Sequence, residues 1–96
     1  FGEALGLNPE SLVPTLAAGA AGNWFLDKRG ATMLAKNYTP GFKSALLLKD
    51  LHIVQEMAEQ LGKHYSVVEQ SLADYQHLVD AGFGEEDTSA LIRLKR

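Results

Sequence analysis

Asp50 is the residue most out of place in this sequence. It follows Leu46-Leu47-Leu48-Lys49 and precedes Leu51, in a stretch whose apolar spacing predicts a helix. At about 100° per residue, with Leu47 at zero, Leu51, Val54, Ala58 and Leu61 fall within about 40° of it, flanked by Met57, Leu46 and Ile53. Asp50 falls at roughly 300°, between Met57 and Leu61 and therefore inside the apolar arc. Lys49 falls near 200°, at the edge, beside Glu56 and Gln60. With an early helix start, Phe42 lies about 20° from Lys49 and two turns before it. A carboxylate on a core-facing stripe costs several kcal/mol unless it is paired or hydrogen-bonded. Two readings follow. Asp50 accepts hydrogen bonds from a neighbouring helix terminus or from Trp24, Tyr65 or Tyr75; or the stretch faces a site, where Asp50 and Lys49 offer charge to a ligand. Lys49 has its own bland alternative, a solvated side chain paired with Glu56 or Asp50. Phe42 has one too, as a core residue or helix staple, and Trp24 and Tyr38 read as packing residues.

No other constellation carries chemistry alone. Gly82-Phe83-Gly84 follows a helical stretch rather than a strand, and Asp87 stands where a dinucleotide loop needs its third glycine. His52 and Glu56 make half a metal site at best, and His64 and His77 stand singly. No serine or lysine has the surroundings of an activated nucleophile. Nine basic and twelve acidic residues, evenly mixed, give a net charge of −3, which argues against a nucleic-acid footprint. The basic cluster Arg93, Lys95 and Arg96 falls at the C-terminus, where it would complement a helix dipole. There is no cysteine, so a reducing compartment, the cytoplasm, is the expected setting. No apolar run approaches the roughly 20 residues of a membrane span.

The elements that must position these side chains all read as helix. Ninety-six residues with 46% hydrophobic and 22% charged content suit one folded domain. The opening Phe1-Gly2-Glu3-Ala4-Leu5 reads as the last turns of a helix already under way, closed by Gly6, as in a fragment. Asn8, Pro9 and Glu10 are an N-cap, a first helical position and a first-turn acid, with Pro14 keeping that helix short or kinked. Asn23 caps a second helix to about Lys36, and Asn37 to Gly41 is a connector. The third helix runs from Phe42 or Lys43 to Leu61, with Gly62 as its C-cap. Ser66 and Glu69 form a capping box for a fourth, with Val68, Leu72, Tyr75 and Val79 on its apolar face and Gly82 at its end. Asp87 caps a last short helix carrying Leu91, Ile92 and Leu94. No run alternates with period two, so no sheet is expected.

The string Tyr38-Thr39-Pro40-Gly41-Phe42, followed after three residues by Leu46-Leu47-Leu48-Lys49-Asp50-Leu51, resembles a known signature. It is similar to the Pro-Gly-Phe and Lys-Asp-Leu motifs in the C-terminal domain of the 3-hydroxyisobutyrate, or β-hydroxyacid, dehydrogenase family. The likeness extends to Gly6-Leu7-Asn8-Pro9, to Trp24 and to Gly82 through Leu91, and so covers essentially the whole chain. It implies an all-α fold, a compact bundle of about five helices like the C-terminal domain of 6-phosphogluconate dehydrogenase. It also implies an NAD- or NADP-dependent oxidoreductase acting on a small β-hydroxy acid, with a separate nucleotide-binding domain and homo-oligomeric association.

By the same resemblance, Lys49 matches a lysine that contacts the nicotinamide cofactor. Phe42 matches a phenylalanine lining the place where nicotinamide and substrate meet, and Asp50 an aspartate supporting that site. The family's catalytic lysine, with an asparagine four residues on, has no counterpart here, and neither do its Gly-rich cofactor loop and its carboxylate-binding segment. The chain is therefore expected to be inactive alone. The alternative is a non-catalytic helical interaction module without a cofactor.

Overall fold

Three of the four α-helices begin where their first amides find acceptors from outside the helix. A computed structural model describes residues 1–96 and contains α1 (Pro9–Ala17), α2 (Trp24–Leu34), α3 (Ser44–Gln60) and α4 (Ser66–Leu78). α4 runs on into a π-helical turn, Val79–Phe83, and a 3₁₀ helix spans Thr88–Lys95. No strand forms; an isolated bridge joins Lys43 to Asp87. The all-α expectation of about five helices holds. No helix is long and apolar enough to cross a membrane.

The helices group into two compact units, residues 1–38 with Arg96, and Thr39–Lys95. In the first, residues 1–7 close as a helix C-terminus does: Gly6 has φ 72°, and the Leu7 amide donates back to the Gly2 carbonyl at 3.0 Å. Asn8 Oδ1 then accepts from the Glu10 amide at 2.9 Å to start α1. Pro14 has no amide to give within α1, which stops at Ala17. Asn23 Oδ1 accepts from Leu26 at 2.9 Å to start α2. That helix ends at Leu34, two residues short of expectation, because Lys36 turns left-handed at φ 55° and lets the Asn37 amide reach the Thr32 carbonyl. α1 and α2 pack closely at Gly30, where an added Cβ would lie 2.7 Å from Val13 Cγ1. Arg96 donates to both oxygens of Glu3 and to the buried Tyr38 hydroxyl, while Trp24 is 66% exposed.

In the second unit α3 lies against α4, burying Leu48, Ala58, Tyr75 and Leu78, with Ala90 of the 3₁₀ helix also buried. Leu78 is fully buried, and losing its side chain would cost about 2–5 kcal/mol. Gly62, at φ 66°, closes α3 by letting the Lys63 amide reach the Ala58 carbonyl, as expected of a C-cap glycine. The capping box at Ser66 does not form. Tyr65 occupies the N-cap with no side-chain hydrogen bond, so Glu69 lies one residue too far along to reach back, and it faces His64 Nδ1 at 3.4 Å instead. Arg93 and Lys95 lie in the last turn of the 3₁₀ helix, as expected, and they also have specific partners. Arg93 is bidentate to Glu86 and lies over the Phe83 ring, and Lys95 pairs with Asp74.

Candidate functional site

The site is built around the start of α3, whose first amides have no local acceptor. Its N-cap, Lys43, makes no capping bond, and Pro40 and Gly41 bring no side chain that could. The acceptors come from the segment that links the π turn to the 3₁₀ helix. Ser44 N–H donates to the Glu86 carbonyl at 2.8 Å and Ala45 N–H to the Gly84 carbonyl at 2.9 Å. Ser44 Oγ donates to the Asp87 carbonyl at 3.1 Å, and Lys43 Nζ pairs with Glu85.

Asp87 completes this arrangement from a position only 1% exposed. Its Oδ1 accepts from the amides of Gly41, at 2.9 Å, and Phe42, at 3.1 Å. Its Oδ2 accepts from the Ser89 amide at 3.0 Å and from the Ser89 hydroxyl. Burial by itself would raise the Asp87 pKa; the Ser89 hydroxyl and the Ser89, Phe42 and Gly41 amides outweigh it and hold the carboxyl at about 2. Thr88 returns the contact, its amide donating to the Phe42 carbonyl at 2.9 Å. Tyr75 supports the segment from below by donating to the Thr88 carbonyl at 2.9 Å. Burial, with the charges of Asp87 and Asp74 adding to it, pushes that phenol up to about 12.

Three expectations about this region change. Phe42 is not on α3 but in the extended stretch before it, so its helical alignment with Lys49 does not arise. Phe42 is 41% exposed, so it is not a core residue, and it stands directly before the Lys43 cap. Asp50 does not point into the core, since only part of the apolar arc is covered. Ser44, Leu48 and Ala58 are buried, Ser44 against the 86–87 segment, whereas Leu46, Ile53, Val54, Met57 and Leu61 are each 44–74% exposed. Asp50 stands among those exposed residues, at about 300° on the wheel. No bond from Tyr65 or Tyr75 reaches it; its partner is Lys49 Nζ at 2.9 Å, with both side chains about half exposed. Of the two pairings open to Lys49, Asp50 is realised rather than Glu56.

Asp87 is the helix cap that the sequence predicts. Its grip on Gly41 and Phe42, some 45 residues away, has no local signal. Asp-Thr-Ser announces the cap, and nothing at Gly41 announces the partner. No group of three or more metal-ligating side chains forms. The arrangement offers a firmly held aromatic residue, and one exposed ammonium–carboxylate pair set in an uncovered apolar strip. That suits holding a ligand with an anionic or hydroxyl-rich part and a flat part.

The fold is shared with a crystal structure of 3-hydroxyisobutyrate dehydrogenase from Salmonella typhimurium, at a TM-score of 0.89 and 24% identity, over 97% of this chain and 33% of that one. The family described as NAD-binding of NADP-dependent 3-hydroxyisobutyrate dehydrogenase matches residues 1–95, and the chain belongs to it. Among its relatives is an uncharacterized oxidoreductase of Bacillus subtilis, YkwC, 30% identical over 98% of this chain and 33% of the relative. Another is the L-threonate dehydrogenase of Escherichia coli K12, 29% identical over 90% of this chain and 29% of the relative. The chain spans about a third of the length of these relatives.

Proposed function

We propose that this chain is the C-terminal helical domain of an NAD(P)-dependent dehydrogenase of small β-hydroxy acids such as 3-hydroxyisobutyrate. In that role it covers cofactor and substrate and takes part in homo-oligomeric association in the cytoplasm. The observation that carries the reading is the family match over residues 1–95, joined to an α3 whose uncovered strip holds Lys49 and Asp50. An apolar helix face with an ion pair in it suits contact with a nucleotide-binding domain and its ligand better than contact with water.

The nicotinamide cofactor, when bound, supplies hydride acceptance or donation at the hydroxyl-bearing carbon. This chain's residues fit one wall of its site. Lys49 offers a point charge to a phosphate or ribose hydroxyl. Asp50, 2.9 Å away, orients that ammonium and lines the acid's side. Phe42 presents a flat apolar face to the nicotinamide ring and the substrate. The general acid–base of the reaction belongs to a group outside these residues.

The test is cofactor titration of the full-length enzyme and its Lys49→Ala variant, with a melting curve for each. A charge-assisted bond of this kind is worth roughly 1.5–3 kcal/mol, so affinity should fall on the order of tenfold to a hundredfold with Tm nearly unchanged. Equal affinity in the two proteins refutes the cofactor role of Lys49.

A further inference from the structure

We infer that Asp87 is a positioning residue for this site: it touches neither cofactor nor substrate, and it sets where the Phe42 ring stands and where α3 begins. The inference rests on the reading of Phe42 as a wall of the nicotinamide and substrate site. A residue that is 41% exposed is not located by packing alone, so its main chain decides its position. That main chain is held from both sides by adjacent residues of one distant segment. The Phe42 amide donates to Asp87 Oδ1 and the Phe42 carbonyl accepts from the Thr88 amide.

The neighbours of Phe42 cannot substitute for this hold. Lys43 makes no cap, Pro40 has no amide, and the Gly41 amide depends on the same Asp87 oxygen. Glu86 and Gly84 anchor the amides of Ser44 and Ala45, so the 84–88 segment also fixes the first turn of α3, the helix that carries Lys49 in its second turn. A carboxylate 1% exposed is out of reach of any ligand and acts only through what it holds. Removing its charge leaves the Ser89 amide and hydroxyl without their acceptor, loosens the two amides on the other oxygen, and lets the Phe42 ring drift.

The test is a double-mutant cycle in the full-length enzyme with Asp87→Asn and Phe42→Ala, reading KM for the hydroxy acid and Tm. Misplacement of a positioning group costs up to about a hundredfold, so Asp87→Asn should raise KM roughly tenfold to a hundredfold. In the Phe42→Ala background the same substitution should change KM by less than about twofold, because the group it positions is gone, while its Tm loss stays the same. An equal KM factor in both backgrounds, or no KM effect of Asp87→Asn, overturns the inference and leaves Asp87 as a purely structural residue. Phe42→Ala with unchanged KM instead defeats the reading of the site. If Asp87→Asn does not fold, Ser89→Ala removes one hydrogen bond from the same carboxylate and runs the same cycle with a smaller expected KM factor.

Discussion

Protonating Asp87 should unfasten α3 from the 84–89 segment, and the cost can be worked from the structure. The carboxyl titrates at about 2 in the fold against an ordinary value of 3.8, and at about 1.36 kcal/mol per pKa unit this is roughly 2–3 kcal/mol. The sign follows from a depressed pKa. The contribution is fully present above about pH 4, where the unfolded carboxyl is already ionised, and is lost as the pH falls through about 2. Asp87→Asn keeps one oxygen for the Gly41 and Phe42 amides and loses the acceptor for Ser89, much as the protonated acid does. At pH 7 the variant of this 96-residue chain should therefore be less stable by about 2 kcal/mol, with Tm lower on the order of 10 °C. The gap between the two proteins should close between about pH 4 and pH 2, because acid turns the wild type into a near equivalent of the variant. Urea unfolding followed by circular dichroism at a series of pH values measures it. A gap that stays constant down to pH 2, or its absence at pH 7, would refute the account of Asp87 as a charged acceptor.

Two further outcomes test the packing and the surface. Gly30→Ala would ordinarily strengthen a helix, but here the new Cβ meets Val13 Cγ1 at 2.7 Å, a branched side chain with little room to turn. It should destabilise the chain by about 1–3 kcal/mol in thermal unfolding, and a rise in Tm would show that α1 and α2 are not this close. Asp50→Ala should change stability by less than about 0.5 kcal/mol, since the residue is half exposed and its only ion pair is with the neighbouring Lys49. A loss above about 2 kcal/mol would place Asp50 in a buried network after all.

What could be read in the sequence is what neighbours in the chain settle. Asn8 and Asn23 cap their helices through amides two and three residues on. Gly6 closes the opening turn and Gly62 ends α3 because the left-handed conformation costs glycine little. Asp87 caps the 3₁₀ helix through Ser89. The Pro-Gly-Phe and Lys-Asp-Leu strings placed the chain in its family, because those residue types at that spacing are rare by chance. Whatever depended on distant partners was decided only by the tertiary structure. The α3 apolar arc gives no sign of which half α4 will cover, and Asp50 lies in the half left open. The Ser66 box failed because the helix began at Ser66 itself, with Tyr65 in the capping place. The start of α3, and with it the place of Phe42, is settled by carbonyls and a carboxylate some 40 residues further along. Hydrogen bonds of that reach leave no periodicity behind, since the donors are backbone amides that every sequence has.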